Sequence, residues 1–251
     1  MMRDKHTRDH ESTETGKPQR QGIDTSGTPS DSRVIDEDLG QIPAVRRSGT
    51  ERFHHSGNDL EFDLLGFWQW SASDIVSNAT RGRLAEYLIA NAIGAAEGVR
   101  DEWAAYDLCD PRGVTIEVKS AAYIQSWSQR RLSTITFSCP KTLAWDPKTN
   151  LQDTVKRRQA EVYVFALQTC TDQSQLDPFD LAQWEFYVVP TVVLDQRERS
   201  QHSISLKSLQ RLPCEAVSYG RLPDAIAAAA VRHRQEPTIG RETSGRQERR
   251  V

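Results

Sequence analysis

The sequence contains no C-x-x-C pair. Its four cysteines, Cys109, Cys139, Cys170 and Cys214, stand far apart, which argues against a structural zinc site and against a disulfide framework. It has no apolar run long enough to cross a bilayer and no apolar segment after Met1 of the kind that directs secretion. A reducing cytoplasm is the expected location, and no membrane partner is expected. None of the six histidines has metalloprotease spacing, and neither a G-x-S-x-G elbow nor a glycine-rich phosphate loop is present. The net charge is −3, so the chain lacks the bulk basic field of a protein that coats nucleic acid. An enzyme acting on nucleic acid needs only a local basic groove, and that class stays open. Lysine is scarce, with 7 against 25 arginines.

Long apolar patterns are missing from both ends. Residues 1–58 and 236–251 are polar, with isolated apolar residues and no periodicity, and such composition cannot offset the entropy of ordering. The expected organisation is a disordered head (1–58), one domain (59–235) and a disordered tail (236–251). Within the domain, "FDLLGFWQW" (62–70) is an aromatic lead-in expected to pack on the core. "TRGRLAEYLIANAIG" (80–94) predicts a helix capped by Thr80 and stopped by Gly94. Residues 103–108 and 114–121 predict a hairpin, and 132–138, 162–167 and 184–189 predict strands. A short helix is expected near the end of 141–159, another after Ser205, and an Ala-rich one in "LPDAIAAAAVRHR". This order predicts an α/β (α+β) fold around one mixed sheet.

The hairpin turn decides which acid matters. Asp110-Pro111-Arg112-Gly113 suits a type I turn followed by a left-handed glycine and a bulge. That register pairs Asp110 with Val114, Cys109 with Thr115, Leu108 with Ile116 and Asp107 with Glu117. Asp110 is then turn chemistry. Asp107 and Glu117 become opposed on one face, with Lys119 beside them, while Ile116 and Val118 take the other. Opposed like charges destabilise a strand pair; at about 5 Å and an effective dielectric near 20 the repulsion is on the order of 3 kcal/mol. A cation, a raised pKa or Lys119 must offset it. The acid-x-Lys pattern alone carries little weight, since composition gives it about once by chance. The second copy, Asp146-Pro147-Lys148, has proline at its centre and reads as a loop.

The preceding helix adds Glu86, set among residues that are apolar nearly all round. A buried carboxylate there needs a cation or a strong donor, and an arginine such as Arg83 is one alternative. Gly82 costs about 1 kcal/mol relative to Ala in a helix, which suggests a close backbone approach. Arg81 and Arg83 oppose the helix dipole unless an anion sits near them.

These residues resemble the PD-(D/E)XK nuclease superfamily over residues 80–167: Asp107, then Glu117-Val118-Lys119 on the next strand, with Glu86 on the helix before them. Tyr106 stands where the motif has proline. The resemblance implies a restriction-endonuclease-like αβββαβ core and a Mg²⁺-dependent nuclease, with Mn²⁺ as an alternative ion. It also implies Asp107, Glu117, Glu86 and the Val118 carbonyl as metal ligands, and Asp107, Glu117, Lys119 and Glu86 as the catalytic set. The chemistry agrees: carboxylates are hard oxygen ligands for Mg²⁺, and a lysine can position water and stabilise phosphorane charge. Arg81, Arg83, Gln125, Gln129, Arg130 and Arg131 are the candidates for substrate contact, with Trp127 and "KRR" (156–158) alongside. Gln125 shares strand parity with Lys119 if that strand continues. The implied partners are nucleic acid, DNA in the first place, and a second copy of the chain. A catalytically silent nucleic-acid-binding module on the same fold, and a metal-free regulatory or scaffold protein, are the competing classes.

Overall fold

The computed structural model describes residues 40–236 apart from 199 and 215. The disorder expected in 1–39 and 237–251 lies outside the described residues. The first elements are a hairpin, β1 (Arg52–His55) and β2 (Asn58–Asp63), and a helix, α1 (Leu64–Ala72). The hairpin crosses the boundary expected after residue 58. Ser56 and Gly57 both adopt positive φ in its two-residue turn, the geometry that matches strand twist. Phe53 and Phe62 meet across it at 4.9 Å. Local turn chemistry and one aromatic pair thus order a stretch whose composition gave no sign of it. The aromatic lead-in does not pack on the core as expected: no residue of α1 is buried, and Trp70 is 85% exposed.

The central sheet has five strands in the order β11–β9–β8–β4–β3. These are β3 (Leu108–Cys109), β4 (Thr115–Ala122), β8 (Val162–Gln168), β9 (Trp184–Pro190) and β11 (Ala216–Val217). β4 and β8 run parallel, and the other pairings are antiparallel. β8 is buried at every position, which is why it reads as a continuous apolar run rather than an alternating one. β4, "TIEVKSAA", alternates. Ile116 and Val118 face the helices α2 (Asn78–Ala92) and α5 (Leu222–Gln235), where Ala85, Ile89, Leu222 and Ile226 close the core. On the opposite face Tyr163, Phe165 and Val189 pack beneath β5 (Thr136–Ser138), α3 (Thr191–Asp195), β10 (Ser203–Ser205) and α4 (Leu206–Leu209). The result is a three-layer α+β arrangement.

Three local expectations are corrected. The strand expected over 132–138 shortens to β5, which pairs with β10 and not with the central sheet. Residues 103–107 form no strand, so β3 is only two residues long. No helix forms within 141–159; a small hairpin, β6 (Trp145–Asp146) and β7 (Leu151–Gln152), occupies it. Asp146 fixes the hairpin turn by accepting from the Lys148 N–H (2.9 Å) and the Thr149 hydroxyl (2.9 Å), and the end of the stretch is held extended by the Arg157–Thr142 bridge. The α2 cap is Ser77, three residues before Thr80, and its hydroxyl accepts from the Thr80 N–H. Gly94 ends the helix as expected, with φ of 71°.

Candidate active site

The geometry at β3–β4 starts from the turn. Asp110 Oδ1 accepts from the Arg112 and Val114 N–H groups at 2.8 and 2.9 Å, Gly113 sits at φ 82°, and the Asp110 N–H donates to the Val114 carbonyl. The observed pairs are Leu108 with Ile116 and Cys109 with Thr115, the register derived from the turn. Burial pushes the Asp110 carboxyl up, but the bonds from Val114 and Arg112 outweigh it and hold the group below its ordinary range.

Beyond Leu108 the ladder gives way. The Asp107 N–H donates to the Ile116 carbonyl at 3.1 Å, and Asp107 Oδ2 accepts from the Val118 N–H at 2.7 Å. Asp107 therefore sits at the open edge of the sheet, bonded to the β4 backbone rather than standing free over one face. Glu117 and Lys119 project to the face opposite α2 and form an ion pair at 2.5 Å. Burial raises the Glu117 pKa, the charge of Asp107 raises it further, Lys119 lowers it, and Glu86 adds a smaller upward push. The charges of Asp107 and Glu86 thus both bear on Glu117 near the edge left bare by the short β3.

Glu86 is half-buried on α2. Its partner is Arg100, through a bidentate contact that includes an Nη2–Oε1 bond of 3.2 Å, and not Arg83. That bond to Glu86 raises the Arg100 pKa. Arg83 is exposed and lines the same cleft as Glu86, Arg100, Tyr106 and Asp107, with a volume of ≈ 380 Å³. Glu117 and Lys119 line a smaller cavity of ≈ 180 Å³ with Tyr163, Ser138 and Gln159. Asp107 and Glu117 thus line different cavities at this edge.

The substrate-contact candidates divide among three places. Arg81 and Gln125 are both buried and bonded to each other at 3.3 Å. β4 ends at Ala122, so Gln125 does not continue along the face of Lys119. Gln129 organises its own loop, accepting from the Gln125 N–H at 2.7 Å and donating to the Ser133 hydroxyl at 3.0 Å. Arg130 and Arg131 are exposed along a separate groove with Thr171 and Gln173, and Trp127 is exposed nearby in sequence. Arg158 lines neither cavity at the β3–β4 edge. It is buried and bonded to Asp195 and to the Cys139 and Gln201 carbonyls. A Cβ on Gly82 would meet nothing within 4 Å, so the close approach expected there is absent.

Sequence reasoning missed Arg100 and Tyr163. Arg100 lies in an irregular segment with no period to read. Tyr163 was accessible in principle: it is paired in register with Glu117 on the neighbouring parallel strand, and burial together with Glu117 raises its pKa. The second acid-x-Lys copy was rightly set aside, because its aspartate is spent on the β6–β7 turn.

Among the described residues no three of His, Cys, Asp and Glu converge closely enough to enclose a metal ion by themselves. This donor set still fits Mg²⁺, which binds through one or two carboxylates and completes its octahedron with water and substrate phosphate. The acids lining the two cavities are Glu86, Asp101, Asp107 and Glu117, with Arg46, Arg83, Arg100 and Lys119 among them.

No curated protein sequence matches the chain. The family model described as bacteriophage T4 endonuclease IV matches residues 65–208, a span that runs from α1 into α4 and contains Glu86, Asp107, Glu117 and Lys119. With more than half of its length covered, the chain belongs to the bacteriophage T4 endonuclease IV family.

Proposed function

We propose that the protein is a Mg²⁺-dependent endonuclease, acting on DNA, with Asp107, Glu117 and Lys119 at its active site. Membership in an endonuclease family supports the reaction class. The observation that carries the site is the bare sheet edge, where the charges of Asp107 and Glu86 bear on Glu117 and Lys119 is bonded to Glu117. The order helix, hairpin, acid-x-Lys strand is that of a PD-(D/E)XK core. The connection from β4 to β8 departs from it, carrying a small hairpin in place of a helix.

Asp107 and Glu117 would hold the ion, with Glu86 in reach of a second one or of a water. When bound, the ion supplies Lewis-acid stabilisation at a phosphate oxygen and favours ionisation of water. Lys119, held by Glu117 on the sheet face, donates to the phosphorane oxygens as charge develops. Asp107 keeps its orientation through the Val118 N–H, so the carboxylate is fixed before substrate arrives. Glu117, destabilised as an anion in the free protein, gains from any cation that enters. Arg83 is exposed on the cleft wall and suits a phosphate beside the scissile bond, while Arg100 is committed to Glu86.

The test is cleavage of supercoiled plasmid and of circular single-stranded DNA by the full chain, with Mg²⁺ and with EDTA. Nicking or linearisation that requires Mg²⁺ is expected. Equal product in EDTA, or none in either, contradicts the proposal.

A further inference from the structure

Arg81 is only 5% exposed, yet it has no carboxylate partner among the described residues. Its guanidinium donates to neutral acceptors alone: the Val76 carbonyl (2.9 Å), Asn78 Oδ1 (2.5 Å), Ser120 Oγ (3.3 Å) and Gln125 Oε1 (3.3 Å). These bonds use four of its five N–H groups. They fix the fork and leave the positive charge uncompensated. The residue also lies in the first turns of α2, where the helix dipole is unfavourable to a cation. Its pKa is lowered by burial, and no nearby acid acts in the other direction.

The guanidinium borders a cavity of ≈ 290 Å³ lined by Asn78, Ser120, Gln125, Ser133 and Thr136. Apart from Arg81, every polar side chain around it is neutral, and most can donate a hydrogen bond. Its lining joins Asn78 of α2 to Thr136 of β5 around Ser120, so the cavity sits across the C-terminal end of β4, apart from the cavity that Lys119 lines. A desolvated cation held rigid by neutral acceptors, in an open cavity lined with hydroxyl and amide groups, is the chemistry of an anion site.

We infer that the Arg81 cavity binds a phosphate group of the nucleic acid strand, away from the scissile phosphate and without a metal ion. The inference rests on the nuclease reading for the identity of the ligand. The geometry of the cavity stands apart from it.

Replacing Arg81 risks the fold, because four acceptors would be orphaned. Asn78→Asp is the sharper variant: it keeps the shape, favours the start of α2, and gives Arg81 an internal counter-ion. Two quantities are measured in EDTA on the full chain, so that neither depends on catalysis. One is the rise in Tm with inorganic phosphate against chloride at equal ionic strength. The other is the affinity for a short single-stranded oligonucleotide across a salt series. The wild-type protein should show a saturable phosphate-dependent rise. Asn78→Asp should have a higher Tm without phosphate and lose that rise. Its oligonucleotide affinity should fall about tenfold, with the salt slope reduced by about one. An unchanged phosphate response in Asn78→Asp overturns the site. A lost phosphate response with unaltered oligonucleotide binding overturns the strand as its occupant. Mg²⁺-dependent plasmid cleavage by the wild-type chain is scored separately, so failure here is distinguishable from failure of the nuclease proposal.

Discussion

The bare edge and the far end of β4 carry opposite electrostatic problems. Around the bare edge, the charges of Asp107 and Glu86 both push the Glu117 pKa up, while Lys119 pairs with Glu117 and Arg100 with Glu86. At the far end of the strand, Arg81 is buried with no acidic partner among the described residues. Neither arrangement is what packing alone would select, since a buried charge without a partner costs stability. The acidic edge calls for a cation and the arginine cavity for an anion. A phosphodiester strand with its divalent ion, the occupants proposed above, would supply both.

Substitutions at the edge should have the largest effects. Asp107→Asn retains an acceptor for the Val118 N–H, so the fold should hold within about 0.5 kcal/mol, while cleavage falls by roughly 100-fold or more. Asp107→Ala should lose the same activity and also about 1–3 kcal/mol of stability, because the buried Val118 N–H is left without its acceptor. Urea denaturation beside a plasmid assay separates the two variants. Equal stability for both would show that the Asp107–Val118 bond contributes nothing to the fold.

The turn acid should act on stability alone. Asp110→Ala is expected to cost about 1–2 kcal/mol at neutral pH, through the lost bonds to Arg112 and Val114. The folded pKa of Asp110 is depressed. Its contribution is therefore present above the ordinary carboxylate pKa of about 4 and is lost as pH falls through the lower folded value. Wild-type and variant denaturation curves should converge in acid, and a gap that persists there contradicts the assignment.

Glu117 should do the reverse. Its folded pKa is raised, so its ionisation destabilises the metal-free fold as pH rises past the unfolded value. Glu117→Gln should therefore be more stable than wild type at neutral pH in EDTA, by about 1 kcal/mol. The gain should vanish below about pH 4, where both states are protonated. A variant less stable than wild type at neutral pH would mean that the Lys119 ion pair outweighs burial and the Asp107 repulsion.

How much of this was legible follows from which signals are local. The D-P-R-G turn is complete in four residues, and so the β3–β4 register could be derived from it. The alternation of "TIEVKSAA" placed Ile116 and Val118 on one face and Glu117 and Lys119 on the other, as observed. The separation of Arg81 and Gln125 from Lys119 was not legible, because it depends on β4 ending at Ala122. The partner of Glu86 was also hidden, since Arg100 reaches it from an irregular loop fourteen residues on. β5 failed as a central strand for a tertiary reason: its alternating pattern suits any half-buried strand, and β10 supplied the partner. The β1–β2 hairpin was missed because its two aromatic residues lie nine apart, bridged by a turn that composition alone does not reveal.

Lys119 tests the account most directly. It is the one residue at the edge whose proposed role requires the transition state rather than the ion, and its one side-chain hydrogen bond among the described residues is to Glu117. Single-turnover cleavage of plasmid at saturating Mg²⁺ should fall by about 100- to 1,000-fold in Lys119→Ala, while DNA affinity in EDTA changes little and Mg²⁺ still raises the Tm. Wild-type cleavage by Lys119→Ala would contradict the placement of the active site at this edge and leave Glu117 and Lys119 as an ordinary ion pair on a strand.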